Sequence, residues 1–171
     1  PGITISAMKK RLGQNKRFAR AMPNTPALLG EGITGLAYEK GSLSPEEENE
    51  LQGIFEACGK VEVVEERLMN AVGCVSGSSP AFVYMMIAAL ADGGVKYGLP
   101  RATACRMAAQ AVLGSARMVL ESGKHPEQLK DEVSSPPGTT TQGVSALEEG
   151  GFRSALIKAC DACYEKSTQI K

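Results

Sequence analysis

The 171-residue chain balances 19 Lys plus Arg against 19 Asp plus Glu, a formal net charge of zero, so it has no field of one sign to attract nucleic acid or an anionic membrane. It is long enough for one or two domains with a real core. Aromatic residues make up 5% and Trp is absent, while Gly (19) and Met (7) are plentiful, which points to close helix-to-helix packing in preference to a sheet sandwich.

No secretory signal is read at the N-terminus, and the longest nearly uninterrupted apolar run, Pro80 to Ala91, is shorter than the ~20 residues a bilayer demands. The expectation is a soluble, cytoplasmic protein with no membrane partner. Its five cysteines read as reduced thiols. Cys160 and Cys163 form a C-x-x-C, but with no second pair and one His in the chain, buried thiols are preferred to metal or redox chemistry, and no metal site is expected.

In chain order, Ile3 to Leu12 reads as a short helix whose basic end, Lys9 to Arg11, suits a helix C-terminus. Phe18 to Met22 alternates like a strand that Pro23 ends, and Ile33 to Tyr38 is a second strand. The loop between them, P-N-T-P followed by Gly30 and Gly32, is long enough to be functional. Ser44, Pro45 and Glu47 form a capping box with proline in the first turn, Leu51, Ile54, Phe55 and Cys58 make one apolar stripe, and Gly59 closes that helix. Lys60 to Val64 is a third strand. Strand, helix and strand make the tail of a doubly wound sheet, with a right-handed crossover if the strands are parallel.

Composition shifts after Glu65 and Glu66, where the domain boundary is placed. Arg67 to Val75 reads as helical, and S-G-S-S-P breaks the run before an almost wholly apolar helix, Ala81 to about Val95, that must be buried on more than one side. Asp92 interrupts it as a buried hydrogen-bonding strut in preference to a site residue. A long helix from Arg101 to Glu121 carries two apolar stripes, Cys105-Ala109-Val112-Ala116-Val119 and Met107-Ala111-Gly114-Met118, on nearly opposite faces. The second stripe needs another surface, and a symmetric homodimer is the commonest way to supply one. Pro126 to Glu132 is a short helix, with His125 exposed before it, and Gly150-Gly151 separates the last two helices.

Between Val133 and Glu148 the chain reads V-S-S-P-P-G-T-T-T-Q-G-V-S-A-L-E. Proline fixes φ and lacks an N–H, so the preceding helix must stop there, and Gly138 permits close backbone approach. A helix opening at Thr139 to Thr141 would point N–H groups back at the loop, as a small carboxylate requires. The plain alternative is a helix corner with a Ser/Thr cap.

The run from His125 to Arg153 closely resembles the signature of the pyrroline-5-carboxylate reductases. R-A-M-P-N-T-P (Arg20 to Pro26), V-S-G-S-S-P-A-F (Val75 to Phe82) and A-L-A-D-G-G-V-K-Y-G-L-P-R (Ala89 to Arg101) are similar to the same family in the same order. The resemblance implies a mainly α chain: an all-helical dimerisation and substrate domain, residues 66–171, preceded by the α/β tail of a Rossmann cofactor domain, residues 1–65. It implies an oxidoreductase acting on a CH–NH group, reducing the C=N bond of 1-pyrroline-5-carboxylate to L-proline with NADP or NAD as cofactor, in the last step of proline biosynthesis. The implied partner is a second copy, a homodimer that in this family extends to larger rings of dimers.

By the same resemblance, Ser135, Gly138, Thr139 and Thr140 bind the substrate carboxylate, with Thr140 as the catalytic residue. Its hydroxyl positions the ring nitrogen in preference to acting as a general acid. Met22, Asn24 and Thr25 lie by the nicotinamide, and Ser76, Gly77, Ser78 and Pro80 line the same cofactor-binding region. Two residues depart from the family pattern, Pro137 and Ser79, each where Gly is usual; Pro137 removes an N–H from the cradle. We read no G-x-G-x-x-G phosphate loop after a strand, and expect from this that the Gly-rich half of the Rossmann domain is missing and the chain inactive alone. A non-catalytic helical dimerisation module and a 3-hydroxyacid type of dehydrogenase are the alternatives.

Overall fold

The computed structural model describes residues 2–135 and 138–170. Pro136 and Pro137, and with them the expected stiffening of the loop, lie outside the described residues. The chain forms two compact units, Pro1–Ala81 with Ile157–Lys171, and Phe82–Leu156. This division by compactness differs from the 65/66 boundary read from composition: residues 66–81 and the end of the last helix group with the sheet.

In the first unit, helix α1 (Ile5–Leu12) starts where the Thr4 hydroxyl accepts from the Ala7 N–H. Strand β1 (Ala19–Met22) pairs antiparallel with β2 (Gly32–Tyr38), Met22 opposite Gly35. The loop between them holds a 3-10 turn, Thr25–Leu29. Helix α2 (Pro45–Glu56) has the capping box as read, the Ser44 hydroxyl accepting from the Glu47 N–H and the Glu47 carboxylate from the Ser44 N–H. Strand β3 (Gly59–Val63) completes the sheet parallel to β2, in the order β1-β2-β3.

Two boundaries differ from expectation for tertiary reasons. Helix α2 ends at Glu56, and Gly59 opens β3 instead of closing the helix: at φ +142°, a Cβ there would sit 2.0 Å from the Gly32 carbonyl oxygen. Ile54, placed on the packed stripe by sequence, is 66% exposed. The core of this unit is Ile5, Leu36, Ala37, Met69 and Cys74, with Thr34 the buried polar residue. Gly35 makes room for that packing, since a Cβ on it would meet Val72 at 2.4 Å.

S-G-S-S-P does not break the helical run. A 3-10 turn (Glu66–Leu68), helix α3 (Met69–Val72), a π-helical turn (Gly73–Gly77) and helix α4 (Ser79–Lys96) follow one another. By length and composition the helical run Glu66–Lys96 is long and apolar enough to cross a membrane, unlike the shorter run read from sequence, although buried helices of soluble proteins pass the same test.

The second unit holds most of α4, then α5 (Arg101–Ser122), α6 (Pro126–Glu132), α7 (Thr139–Glu149) and the first residues of α8 (Phe152–Gln169). The packed face of α5 centres on Ala104 and Ala108, so neither stripe drawn from sequence is the buried one, and Ala109 and Ala116 are exposed. Met107 and Met118 of the second stripe are exposed, as the reading of a surface awaiting a partner requires. In α4 Ala91 is buried, whereas Met85 is 73% exposed, so the helix is not enclosed within one chain. Asp92 is not buried: it forms an exposed ion pair with Arg101 between α4 and the start of α5. Of the cysteines, Cys160 and Cys163, read as buried thiols, are half-buried, Cys74 is buried and Cys58 exposed.

Candidate functional site

In the first unit, β1 delivers Met22 and Pro23 to the start of the P-N-T-P loop. Asn24 precedes the 3-10 turn without capping it. Its side chain instead bridges two backbones, Oδ1 accepting from the Ile33 N–H at 3.0 Å and Nδ2 donating to the Ser76 carbonyl at 3.1 Å. Ser76 lies in the π-helical turn, where the Ser78 N–H donates to the Gly73 carbonyl at 2.8 Å and the Ser76 hydroxyl to the Val72 carbonyl at 2.9 Å. π-Helical turns inside α-helices recur at functional sites.

Loop and turn form walls of a cavity of about 530 Å³, lined among others by Met22, Pro23, Gly73, Gly77, Ser78 and Lys166. Of the residues read as cofactor-binding, Met22, Gly77 and Ser78 reach this cavity. Asn24 and Ser76, bonded to each other, are chain neighbours of the lining residues Pro23 and Gly77, while Thr25 is exposed and Pro80 is the second residue of α4. Lys166 and Cys163 also line the cavity. Sequence reading noted Cys163 only as part of the C-x-x-C and missed Lys166, because nothing local to α8 marks either as lining a cavity. The Cys74 thiol is pushed up from its ordinary value, first by burial and then by Cys163, Cys160 and Asp161, so it stays protonated near neutral pH.

The literal spacing G-x-G-x-x-G does occur, at Gly30-Glu31-Gly32-Ile33-Thr34-Gly35, but it runs into strand β2 and not into a helix. The Gly32 N–H donates to the Cys58 carbonyl at 3.0 Å, and a Cβ on Gly32 would meet Ala27 and Cys58 at 2.8 Å. Gly32 and Gly35 serve sheet packing, Gly30 ends the 3-10 turn in the left-handed region, and the run opens no helix N-terminus of the kind that holds a phosphate.

In the second unit, α6 is capped by His125, whose Nδ1 accepts from the Glu127 N–H at 3.2 Å. It leads into the loop S-S-P-P-G. The Gly138 N–H donates to the Ser135 carbonyl at 2.5 Å, and the Thr141 hydroxyl to the same oxygen at 3.4 Å. A Cβ on Gly138 would approach Ser135 O to 2.5 Å, so the closure requires glycine. Helix α7 starts at Thr139 with no side chain capping it; Ser135, Thr139 and Thr140 are exposed and Gly138 half-buried. The loop thus brings Ser135, Gly138 and the first turn of α7 together. The Gly138 N–H is engaged, leaving the amides and hydroxyls of Thr139 and Thr140 as the candidate groups for a carboxylate.

A clamp absent from the sequence reading frames this loop. Arg153 donates to Glu127 at 2.7 Å and to Glu148 at 2.6 Å, tying the start of α6 and the end of α7 to the start of α8. Arg153 first, then Lys130, holds the Glu127 carboxyl below its ordinary range. Beside the loop is a smaller cavity of about 220 Å³ lined by Lys130, Asp131, Ser134, Thr141, Val144 and Ser145.

Residues 66–170 match the family model for pyrroline-5-carboxylate reductase dimerisation. The chain is 48% identical to the pyrroline-5-carboxylate reductase of Escherichia coli over 169 residues, covering 99% of this chain and 62% of that protein. It is 44% identical to pyrroline-5-carboxylate reductase 2 of Bos taurus, of which it spans 54%. Among solved structures, the reductase from Coxiella burnetii superposes with a TM-score of 0.93 at 36% identity, over 98% of this chain and 62% of that one. The Plasmodium falciparum pyrroline carboxylate reductase with NADP bound gives 0.88 at 34% identity, over 98% and 67%. The chain therefore spans about 62% of the length of its bacterial relative. With the match running through the second unit, its loop and all of α8, the chain belongs to the pyrroline-5-carboxylate reductase dimerisation family.

Proposed function

We propose that this chain carries the substrate loop and subunit interface of an NAD(P)H-dependent pyrroline-5-carboxylate reductase, converting 1-pyrroline-5-carboxylate to L-proline in the cytoplasm. The observation that carries the proposal is the closed S-S-P-P-G-T-T loop, in which Ser135 O and Gly138 N–H meet at 2.5 Å and present the first turn of α7. That turn offers amides, hydroxyls and a helix N-terminal dipole to the carboxylate of a small imino acid. The Thr140 hydroxyl holds the ring nitrogen, orienting the C=N bond; the proton comes from water or is already on the iminium, since a threonine is a poor acid at neutral pH.

The nicotinamide supplies the hydride. The cavity lined by Met22, Pro23, Gly77 and Ser78 is of a size to receive such a ring, and Ser76 and Pro80, next to Gly77 and Ser78 along the chain, are assigned to the same region. Thr25, exposed on the same loop, is assigned with Asn24 to the nicotinamide end of the cofactor. The Gly30–Gly35 run leads into strand β2 and offers no helix N-terminus to the dinucleotide's phosphates. Residues 66–171 act as the helical dimerisation and substrate domain and residues 1–65 as the tail of the cofactor domain, a division supported by the family match beginning at residue 66. The exposed Met85, Leu90, Met107 and Met118 favour a homodimer, and the extension to rings of dimers rests on the resemblance alone.

The test is loss of NADPH or NADH absorbance when 1-pyrroline-5-carboxylate is added to the intact protein. Stoichiometric formation of L-proline is expected. An intact, dimeric protein that binds reduced nicotinamide yet forms no proline contradicts the proposal.

A further inference from the structure

The Ser76 carbonyl has lost its helical donor. In an α-helical register its partner would be the N–H of residue 80, which is proline and has none, and the next amide, Ala81, donates to the Ser78 carbonyl at 3.1 Å instead. An orphaned, half-buried carbonyl costs free energy unless another donor reaches it. Asn24 supplies that donor from a loop 52 residues away. Its amide orientation is fixed by both partners, because exchanging Oδ1 and Nδ2 would set donor against the Ile33 N–H and acceptor against the Ser76 carbonyl.

We infer that Asn24 is a positioning residue, which locks the P-N-T-P loop to the π-helical turn and so fixes the two walls of the cavity holding Met22, Pro23, Gly77 and Ser78, in place of the helical hydrogen bond that Pro80 forgoes. Its consequence for catalysis rests on the reductase reading above; its structural part does not. Asn24 and Pro80 act as a matched pair. Proline at 80 keeps the turn from closing into regular helix, and Asn24 holds the turn open at a set spacing from β1 and β2.

The experiment compares the unaltered protein with Asn24→Ala, Pro80→Ala and the double variant, first by amide hydrogen exchange and then by steady-state kinetics. Exchange of the Ile33 amide rises about tenfold or more in Asn24→Ala and in the double variant alike, since its acceptor is gone in both. Exchange of the Ser78 amide also rises in Asn24→Ala but returns toward its original rate in the double variant, where residue 80 donates to Ser76. In the kinetic arm Asn24→Ala lowers kcat/KM about tenfold through misplaced cavity walls, with partial rescue by Pro80→Ala. A Ser78 amide indifferent to Asn24→Ala, or equally fast in the single and double variants, overturns the pairing. Changes in kcat/KM within twofold, in a protein that reduces the imine, overturn the positioning role. If the unaltered protein, assayed at the full length of its relatives, reduces no imine, the reductase reading fails and the exchange arm alone decides whether the two walls are locked as inferred.

Discussion

Arg153 and Glu127 are 26 positions apart and meet at 2.7 Å, joining the start of α8 to the first turn of α6 on either side of the S-S-P-P-G-T-T loop. A second contact from the same guanidinium to Glu148 anchors the end of α7, so one side chain fixes both helices that frame the loop. All three groups are solvent-facing, and each pair by itself contributes little to global stability. Their effect is local. Replacing Arg153 by Met leaves the unfolding midpoint nearly unchanged but speeds amide exchange in α6, and loss of that local effect in a Glu127→Gln background would identify the pair as its source.

The same electrostatics set an acid limit. Glu47, held first by Arg17 and then by the Ser44 N–H, and Glu127, held first by Arg153, have folded-state values below the usual 4.5. A carboxyl depressed on folding contributes stability that is fully present above its unfolded value and is lost as pH falls through the folded one. Stability is therefore flat above about pH 5 with respect to these groups and declines below about pH 4.5. Urea midpoints measured from pH 7 to pH 3 should show this decline, with a shallower slope in Arg17→Met.

Gly59 and Gly32 approach backbone to backbone between β3 and β2. Gly59→Ala places a Cβ 2.0 Å from Gly32 O on a backbone at φ +142°, so it destabilises the sheet by about 2 kcal/mol or more, measured by urea denaturation. Ser44→Ala, which removes the N-cap of α2, costs about 1 kcal/mol by the same method.

The exposed methionines of α5 give a test of assembly. Met107→Asp together with Met118→Asp places two charges on a face that the proposed homodimer must bury, and sedimentation should shift from dimer to monomer with helicity retained. A doubly substituted protein that sediments as the original does would place the interface elsewhere.

What the sequence disclosed depended on how local each determinant was. The Ser44-Pro45-Glu47 start of α2 was legible because all its parts lie within one turn. The first strand was legible from alternation and the third from its β-branched residues, and the S-S-P-P-G-T-T loop from turn chemistry together with its resemblance to a family. Gly59 was misread as a helix terminator because its role is set by Gly32, a distant partner. S-G-S-S-P was misread as a break because the group that completes the π-helical turn, Asn24, is 52 residues away. Asp92 looked buried on an apolar helix, yet that helix is enclosed by its own chain only around Ala91, and the carboxylate turns outward to Arg101. In each case the sequence names the residue and the tertiary partner names its job.

The most direct measurement is calorimetric titration of L-proline into the folded dimer, repeated with Thr140→Ala. The account predicts saturable binding at one site per chain, weakened roughly tenfold when the hydroxyl that holds the ring nitrogen is removed, a difference of about 1.4 kcal/mol. A folded dimer that takes up no proline, or binds it equally well without the Thr140 hydroxyl, contradicts the assignment of the S-S-P-P-G-T-T loop as the substrate cradle.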